Sequence, residues 1–156
     1  IHLSLDKLNF KSNAVSYGIL LHDVLERITY NIDDGLSYIE SLKLKYKINK
    51  EQAQFLSKAL IELKESKELQ YIFSLNNKVF NEIELMTKTG DFFRLDKLII
   101  DVDNNATIVD FKTGMAKESD QQQLLKYMGF VDECGYNVKN GILIYLPNLK
   151  VKELEF

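Results

Sequence analysis

Two short segments hold side chains able to work on a phosphate ester. Asp96 lies in Arg94-Leu95-Asp96-Lys97-Leu98, and fourteen positions later Asp110 opens Asp110-Phe111-Lys112-Thr113-Gly114. If the two segments are paired strands of a hairpin, Asp96 and Asp110 come near each other. Lys112 then shares a sheet face with Asp110, because strand side chains repeat every second residue. Two carboxylates suit a hard divalent cation such as Mg²⁺, which takes few protein ligands and fills its other positions with water and phosphate oxygens. A cation so placed acidifies water and offsets phosphate charge, while Lys112 can position or polarise that water. An Asp-x-Lys pair on a strand more often simply faces solvent. Here, however, the charges close an otherwise apolar strand, Val109-Asp110-Phe111-Lys112, with Gly114 opening a turn, and a buried strand has little structural use for charge.

Three further groups are candidates, each with a plain structural alternative. His22 and Glu26 are four apart on a predicted helix with Gly18 one turn earlier, so they share a face. A helix histidine beside Leu21 and Val24 is more often a boundary residue than a ligand. As a ligand, His22 adds an imidazole to the carboxylates and makes a mixed nitrogen and oxygen site that accepts Mn²⁺ as well as Mg²⁺. Gln123 and Tyr127 share a later helix face and could reach a phosphate or base edge. By default they are the solvated start of a helix packed through Leu124, Met128 and Val131. Glu82 and Glu84 alternate with apolar residues in Asn81-Glu82-Ile83-Glu84-Leu85; for both the default is a solvent-facing position, and one of the pair could face the site.

The elements that must position these groups follow from periodicity. Val15, Ile19, Leu20, Val24, Leu25 and Ile28 recur at three-to-four spacing and predict a helix over Val15 to Tyr30, with Ser16 as cap. A second helix is predicted from Asn49, its cap, to about Lys64, and a shorter one through Leu69 to Phe73. The period then changes to strands over Lys78 to Met86, Phe92 to Val102 and Ala106 to Phe111, the last two joined by an Asp103-Asn104-Asn105 turn. Gln121 to Glu133 returns to helix, and Gly141 to Leu146 is a short apolar strand that Pro147 stops.

With 156 residues and 46% hydrophobic content, the chain can build one core without staples and is expected to form one domain over 1–156. No apolar run approaches the roughly 20 residues needed to cross a bilayer, so no membrane partner is expected. The single cysteine, Cys134, cannot form an internal disulfide or supply an iron–sulfur cluster, and a reducing cytoplasm fits. The first residue is Ile1, so the chain is read as a fragment of a longer polypeptide. A net charge of −3 gives little intrinsic hold on a phosphate backbone, which leaves DNA gripping to neighbouring domains.

Taken in order, Gly18-x-x-x-His22-x-x-x-Glu26, Glu82, Arg94-Leu95-Asp96-Lys97-Leu98, Asp110-Phe111-Lys112-Thr113-Gly114 and Gln123-x-x-x-Tyr127 resemble the motif series of the RecB/AddA-type nuclease family of the PD-(D/E)XK superfamily. The resemblance runs from about Val15 to Leu146. It implies a mixed α/β (α+β) fold on a restriction-endonuclease-like αβββαβ core with extra N-terminal helices. It also implies that His22, Asp96 and Asp110 bind Mg²⁺ or Mn²⁺, that Lys112 assists the attacking water, and that Gln123 and Tyr127 complete the site near DNA. Glu82 corresponds to the glutamate of the strand before the aspartate. The activity implied is exonuclease-type hydrolysis of DNA. The chain would serve as the nuclease module of a recombinational-repair helicase–nuclease, partnered by the helicase domains of the same polypeptide and by a second helicase–nuclease subunit. The family pattern Gly-Arg-Ile-Asp-Arg is altered, with Phe93 in the glycine place and Lys97 in the second basic place, outside the metal shell. A free-standing or phage-type exonuclease and a nuclease-dead DNA-binding module are the alternatives.

Overall fold

The computed structural model describes residues 13–156. Three helices precede the sheet: α1 (Asn13–Leu25), α2 (Ile32–Leu44) and α3 (Lys50–Glu65), followed by a 3-10 turn at Lys67–Phe73. Five strands follow, β1 (Lys78–Met86), β2 (Phe92–Ile100), β3 (Asn105–Thr113), β4 (Asn137–Leu146) and β5 (Lys150–Glu155), with α4 (Glu118–Glu133) between β3 and β4. The fold is therefore mixed α+β. Among the described residues no helix is long and apolar enough to cross a membrane.

The sheet runs in the order β1-β2-β3-β4-β5, antiparallel throughout except for β3 and β4. A parallel neighbour cannot be reached by a tight turn, so α4 carries the chain back across the sheet. Alternate strand residues serve the two faces. Ile99, Val109, Phe111, Ile142 and Ile144 pack with the apolar stripes of α1, α2 and α3. Leu98, Ile100, Ile108, Leu143 and Tyr145 pack with Leu124, Met128 and Val131 of α4. Each of the fully buried aliphatic side chains removes enough apolar surface from water to contribute about 1.5 to 3 kcal/mol before entropy is charged. Gly141 lets α4 come close, since a Cβ there would stand 2.8 Å from Met128 Sδ.

Asn49 caps α3 as expected: its side chain accepts from Gln52 N at 2.8 Å while Gln52 Oε1 accepts from Asn49 N at 2.9 Å. Several expectations need correcting. Ser16 lies inside α1 and is not its cap, and the Val15 side chain lies outside the described residues. α1 stops at Leu25 and not at Tyr30. Past that point Arg27 N and Ile28 N bond to carbonyls only three residues back, and the Glu26 and Ile28 carbonyls accept instead from the Asn81 side chain. Periodicity along the chain predicts neither α2 nor the edge strand β5.

Candidate active site

The acids sit where the sheet gives up its ladders. β1 and β2 pair residue for residue from Lys78↔Ile100 to Asn81↔Lys97 and again from Ile83↔Leu95 to Met86↔Phe92. The pairing lapses at the intervening Glu82 and Asp96. β2 and β3 pair from Ile100↔Ala106 to Lys97↔Val109, and the next step in that register sets Asp96 across from Asp110. There the ladder ends, and Phe111 N donates to the Asp96 carboxylate at 2.8 Å. Glu82, Asp96 and Asp110 thus form one row across three strands. Like charges directly opposite one another destabilise a sheet, so the row has no structural rationale of its own.

Glu82 also carries a backbone φ of 51°, in the left-handed region that a non-glycine strand residue rarely occupies. The pleat changes phase at this row. Before it, Lys97 and Ile99 face α1 to α3; beyond it, Leu95 and Phe93 pack with α4. The tip of the β1–β2 hairpin consequently leans over α4, where Phe93 stacks on Tyr127 (centroids 5.8 Å apart) and meets Phe130 at 5.0 Å.

α1 brings His22 to the row. Its Nδ1 lies 3.3 Å from Asp96 Oδ1. His22, Glu82 and Asp96 each offer one ligand atom, and these atoms all lie within 4.8 Å of one another. Glu82 is further held by Arg94, whose Nε is 2.9 Å from Glu82 Oε2. Asp110 is the next residue of the row behind Asp96, and each carboxyl feels the other. Lys112 Nζ is 3.1 Å from Asp110 Oδ2 and donates to Gln123 Oε1 at 2.8 Å. The Lys112–Asp110 approach is an ion pair without hydrogen-bond alignment, so Asp110 Oδ2 is a buried oxygen that accepts no directed hydrogen bond. Gly114, with φ at 85°, turns the chain away just past this group. A cleft of about 1160 Å³ opens over the row, walled by Gly18 and His22 of α1 with Glu26 just past its end, and by α4 through Gln123, Lys126 and Tyr127.

Burial and crowding set the protonation of the row. Burial, then the charge of Asp96, pushes the Asp110 carboxyl up to about 7, with Lys112 only partly offsetting them. For Asp96 burial also acts upward, but the hydrogen bond and charge of His22 and the Phe111 N–H outweigh it and hold it below the usual carboxylate range. Burial and Asp96 raise Glu82 against the pull of Arg94 and His22. Burial acts to lower His22, yet the carboxylates of Asp96, Glu82 and Asp110 together raise it. Burial and the Asp110 charge raise Tyr127. One imidazole nitrogen beside several carboxylate oxygens, with a buried oxygen lacking a donor, is a donor set that fits Mg²⁺ or Mn²⁺.

The candidate residues fall in or beside this cleft, except Glu84, which stays exposed on β1, and several take parts other than expected. Glu82 does not face solvent; it completes the trio with His22 and Asp96, while Asp110, expected as a ligand, stands one step behind. Gln123 is not a free polar helix start, since it holds Lys112, and Tyr127 packs on Phe93. Lys97 is no peripheral charge either. It is 1% exposed and donates to Ile28 O at 2.9 Å and to Asn81 Oδ1 at 2.7 Å. Arg94, which holds Glu82, carries no signal of its own in the sequence beyond its place in the Arg94–Leu98 segment. The signal for Glu82 was its separation from Asp96, the same fourteen residues that separate Asp96 from Asp110.

No protein-family model matches the chain, and no curated protein matches it in sequence. Among solved structures it is similar to the one described as "Crystal structure of SSO0001", at 15% identity and a TM-score of 0.38, over 86% of this chain. The chain spans 66% of the length of that protein. At that TM-score the likeness decides neither fold family nor activity.

Proposed function

We propose that the domain is a metal-dependent DNA nuclease of the RecB/AddA kind, with a PD-(D/E)XK core, that hydrolyses phosphodiesters in the cleft between α1 and α4. The observation that carries the reading is the single row of Glu82, Asp96 and Asp110 across three strands, met by His22 from α1 and by Lys112 from the same face. His22, Glu82 and Asp96 would hold Mg²⁺ or Mn²⁺, with Asp110 beside them, and the cation would supply positive charge to the phosphate and acidify the attacking water. The chain's own groups supply the rest. Asp96 holds His22 in place through Nδ1 and is itself fixed by the Phe111 N–H. Lys112, oriented by Gln123, places an ammonium where negative charge builds on the phosphate or where water must be aligned. Phe93, Tyr127 and Phe130 form an apolar wall that limits access of bulk water from the α4 side. By the same resemblance the domain would work within a recombinational-repair helicase–nuclease, its helicase domains supplying the DNA affinity that a net charge of −3 does not.

The test is end-labelled DNA, single-stranded and duplex, incubated with the domain and Mg²⁺ or Mn²⁺. Wild type should cut, and Asp96→Ala, which removes the centre of the row, should not. Wild-type protein that binds Mn²⁺ yet leaves every DNA substrate intact would sink the nuclease reading.

A further inference from the structure

Lys97 and Asn81 are neighbours in sequence of Asp96 and Glu82, one position further from the hairpin tip on each strand, and they pair across the β1–β2 ladder. Both side chains point to the α1 side of the sheet. Lys97 Nζ donates to Ile28 O at 2.9 Å and to Asn81 Oδ1 at 2.7 Å, with the Phe73 ring 5.7 Å away. Asn81 Nδ2 reaches Ile28 O at 3.1 Å, Thr29 Oγ1 at 3.2 Å and Glu26 O at 3.4 Å. The two side chains thus capture the carbonyls that α1 leaves open just past its end, and Glu26 N still bonds to His22 O at 3.0 Å.

An ammonium buried to this extent is costly where only packing is needed, and an apolar chain of equal length fills the same space. Lysine offers several donors at one point, which suits two acceptors lying close together. The location is also specific: the clamp sits immediately beside the one lapse in the β1–β2 ladder, where Glu82 takes its left-handed backbone. Strained conformations persist only where the surroundings over-determine them.

We propose that the Lys97–Asn81 clamp is a positioning device that ties the end of α1 to the distorted Glu82–Asp96 row, so that His22, Glu82 and Asp96 converge tightly enough to hold a divalent cation. The cation part rests on the nuclease reading above; the mechanical part does not. Lys97 and Asn81 are positioning residues and touch no reacting atom.

The experiment uses the whole chain with Lys97→Met, which keeps length and apolar volume, and Asn81→Leu, which removes the amide. Two readouts are taken: Mn²⁺ affinity by electron paramagnetic resonance, and amide hydrogen exchange resolved along the chain. Both variants should lose Mn²⁺ affinity by about 10- to 100-fold, the range seen when groups that orient metal ligands are removed. Exchange should quicken at residues 26–29 and 81–83 while amides of β4 and β5 keep their protection. Wild-type Mn²⁺ affinity in both variants, or exchange that quickens uniformly through the sheet, would overturn the proposal. Should Lys97→Met not fold, Asn81→Leu decides with the same two readouts. If wild type itself binds no Mn²⁺, the metal reading fails alone, and local against uniform exchange still decides the clamp.

Discussion

Glu82 and Asp96 stand opposite each other across β1 and β2 at the one place where the pairing of those strands lapses. Two half-buried acids in that relation cost stability unless a cation or a proton lies between them. Arg94 offsets part of the repulsion at Glu82 and His22 part of it at Asp96, while Lys112 does the same at Asp110.

Removing one charge of the row should therefore improve the metal-free fold and damage metal binding together. Glu82→Gln keeps size and hydrogen-bonding capacity but removes the charge. Its thermal midpoint without metal should equal or exceed that of wild type, while its Mn²⁺ affinity falls by at least about tenfold, since losing a ligand should cost no less than losing a group that orients one. Mn²⁺ titration followed by thermal melts checks both, because a ligand bound only by the folded state raises its midpoint. Equal metal affinity in the two proteins would place Glu82 outside the site.

Asp110 links the row to pH. Its folded carboxyl is raised to about 7 by burial and by Asp96, so the folded state binds a proton that the unfolded chain has already released. The stability that proton brings is complete below the ordinary carboxyl range and is lost as pH rises through about 7. Metal-free wild type should thus melt lower at pH 8 than at pH 5.5, relative to Asp110→Asn, whose amide stays neutral throughout beside Asp96, Lys112 and Tyr127. A gain of 1 kcal/mol in a domain of this size moves the midpoint by roughly 2 to 4 °C, well within measurement. Parallel pH profiles for the two proteins would show that Asp110 titrates as an ordinary carboxyl.

Lys97 works in the opposite direction. Burial lowers its pKa from 10.5 to about 8, so between those values the unfolded chain holds more protons and stability rises with pH. The contribution is complete above the ordinary lysine range and is lost as pH falls through about 8. The neutral amine keeps two N–H donors, enough for Ile28 O and Asn81 Oδ1. Wild type should accordingly gain stability on Lys97→Met between pH 7 and pH 9.5 in chemical denaturation; a constant difference would mean that Lys97 stays charged in both states.

Much of this was legible in the sequence because periodicity and caps are local. The Asn49-to-Gln52 cap, the turn at Asp103 and the apolar strand ending in Asp110 and Lys112 all follow from neighbours a few residues apart. What was not legible depends on distant partners. α2 was hidden by Asp33, Asp34 and Gly35 at its start, yet the acids favour a helix N-terminus and Gly35 is there for packing: a Cβ would meet Ile28 Cδ1 at 2.6 Å. β5 reads as Lys-Val-Lys-Glu-Leu-Glu, the charged composition that protects an edge strand and conceals it from an apolar search. Lys97 looked like a surface charge because alternation along β2 assigns it no partner; its partners are Ile28 and Asn81, 69 and 16 residues away. For Glu82 the same local logic gives solvent only as a default and cannot choose between it and Glu84, because alternation does not register a pleat that changes phase; the motif resemblance alone singles it out.

The most direct test of the account is the rate at which Lys112→Ala cuts DNA. Lys112, held by Gln123 beside Asp110, acts on charge that develops only in the transition state, so its loss should depress the rate and spare affinity. Single-turnover cleavage at saturating Mg²⁺ should fall roughly 100- to 1000-fold, the cost typical of removing one preorganised electrostatic group. DNA binding measured in Ca²⁺, which holds the complex without supporting efficient hydrolysis, should change by no more than a few-fold. A Lys112→Ala protein that cuts within a few-fold of wild type would contradict the catalytic role of the Asp110 and Lys112 pair, and with it the central claim.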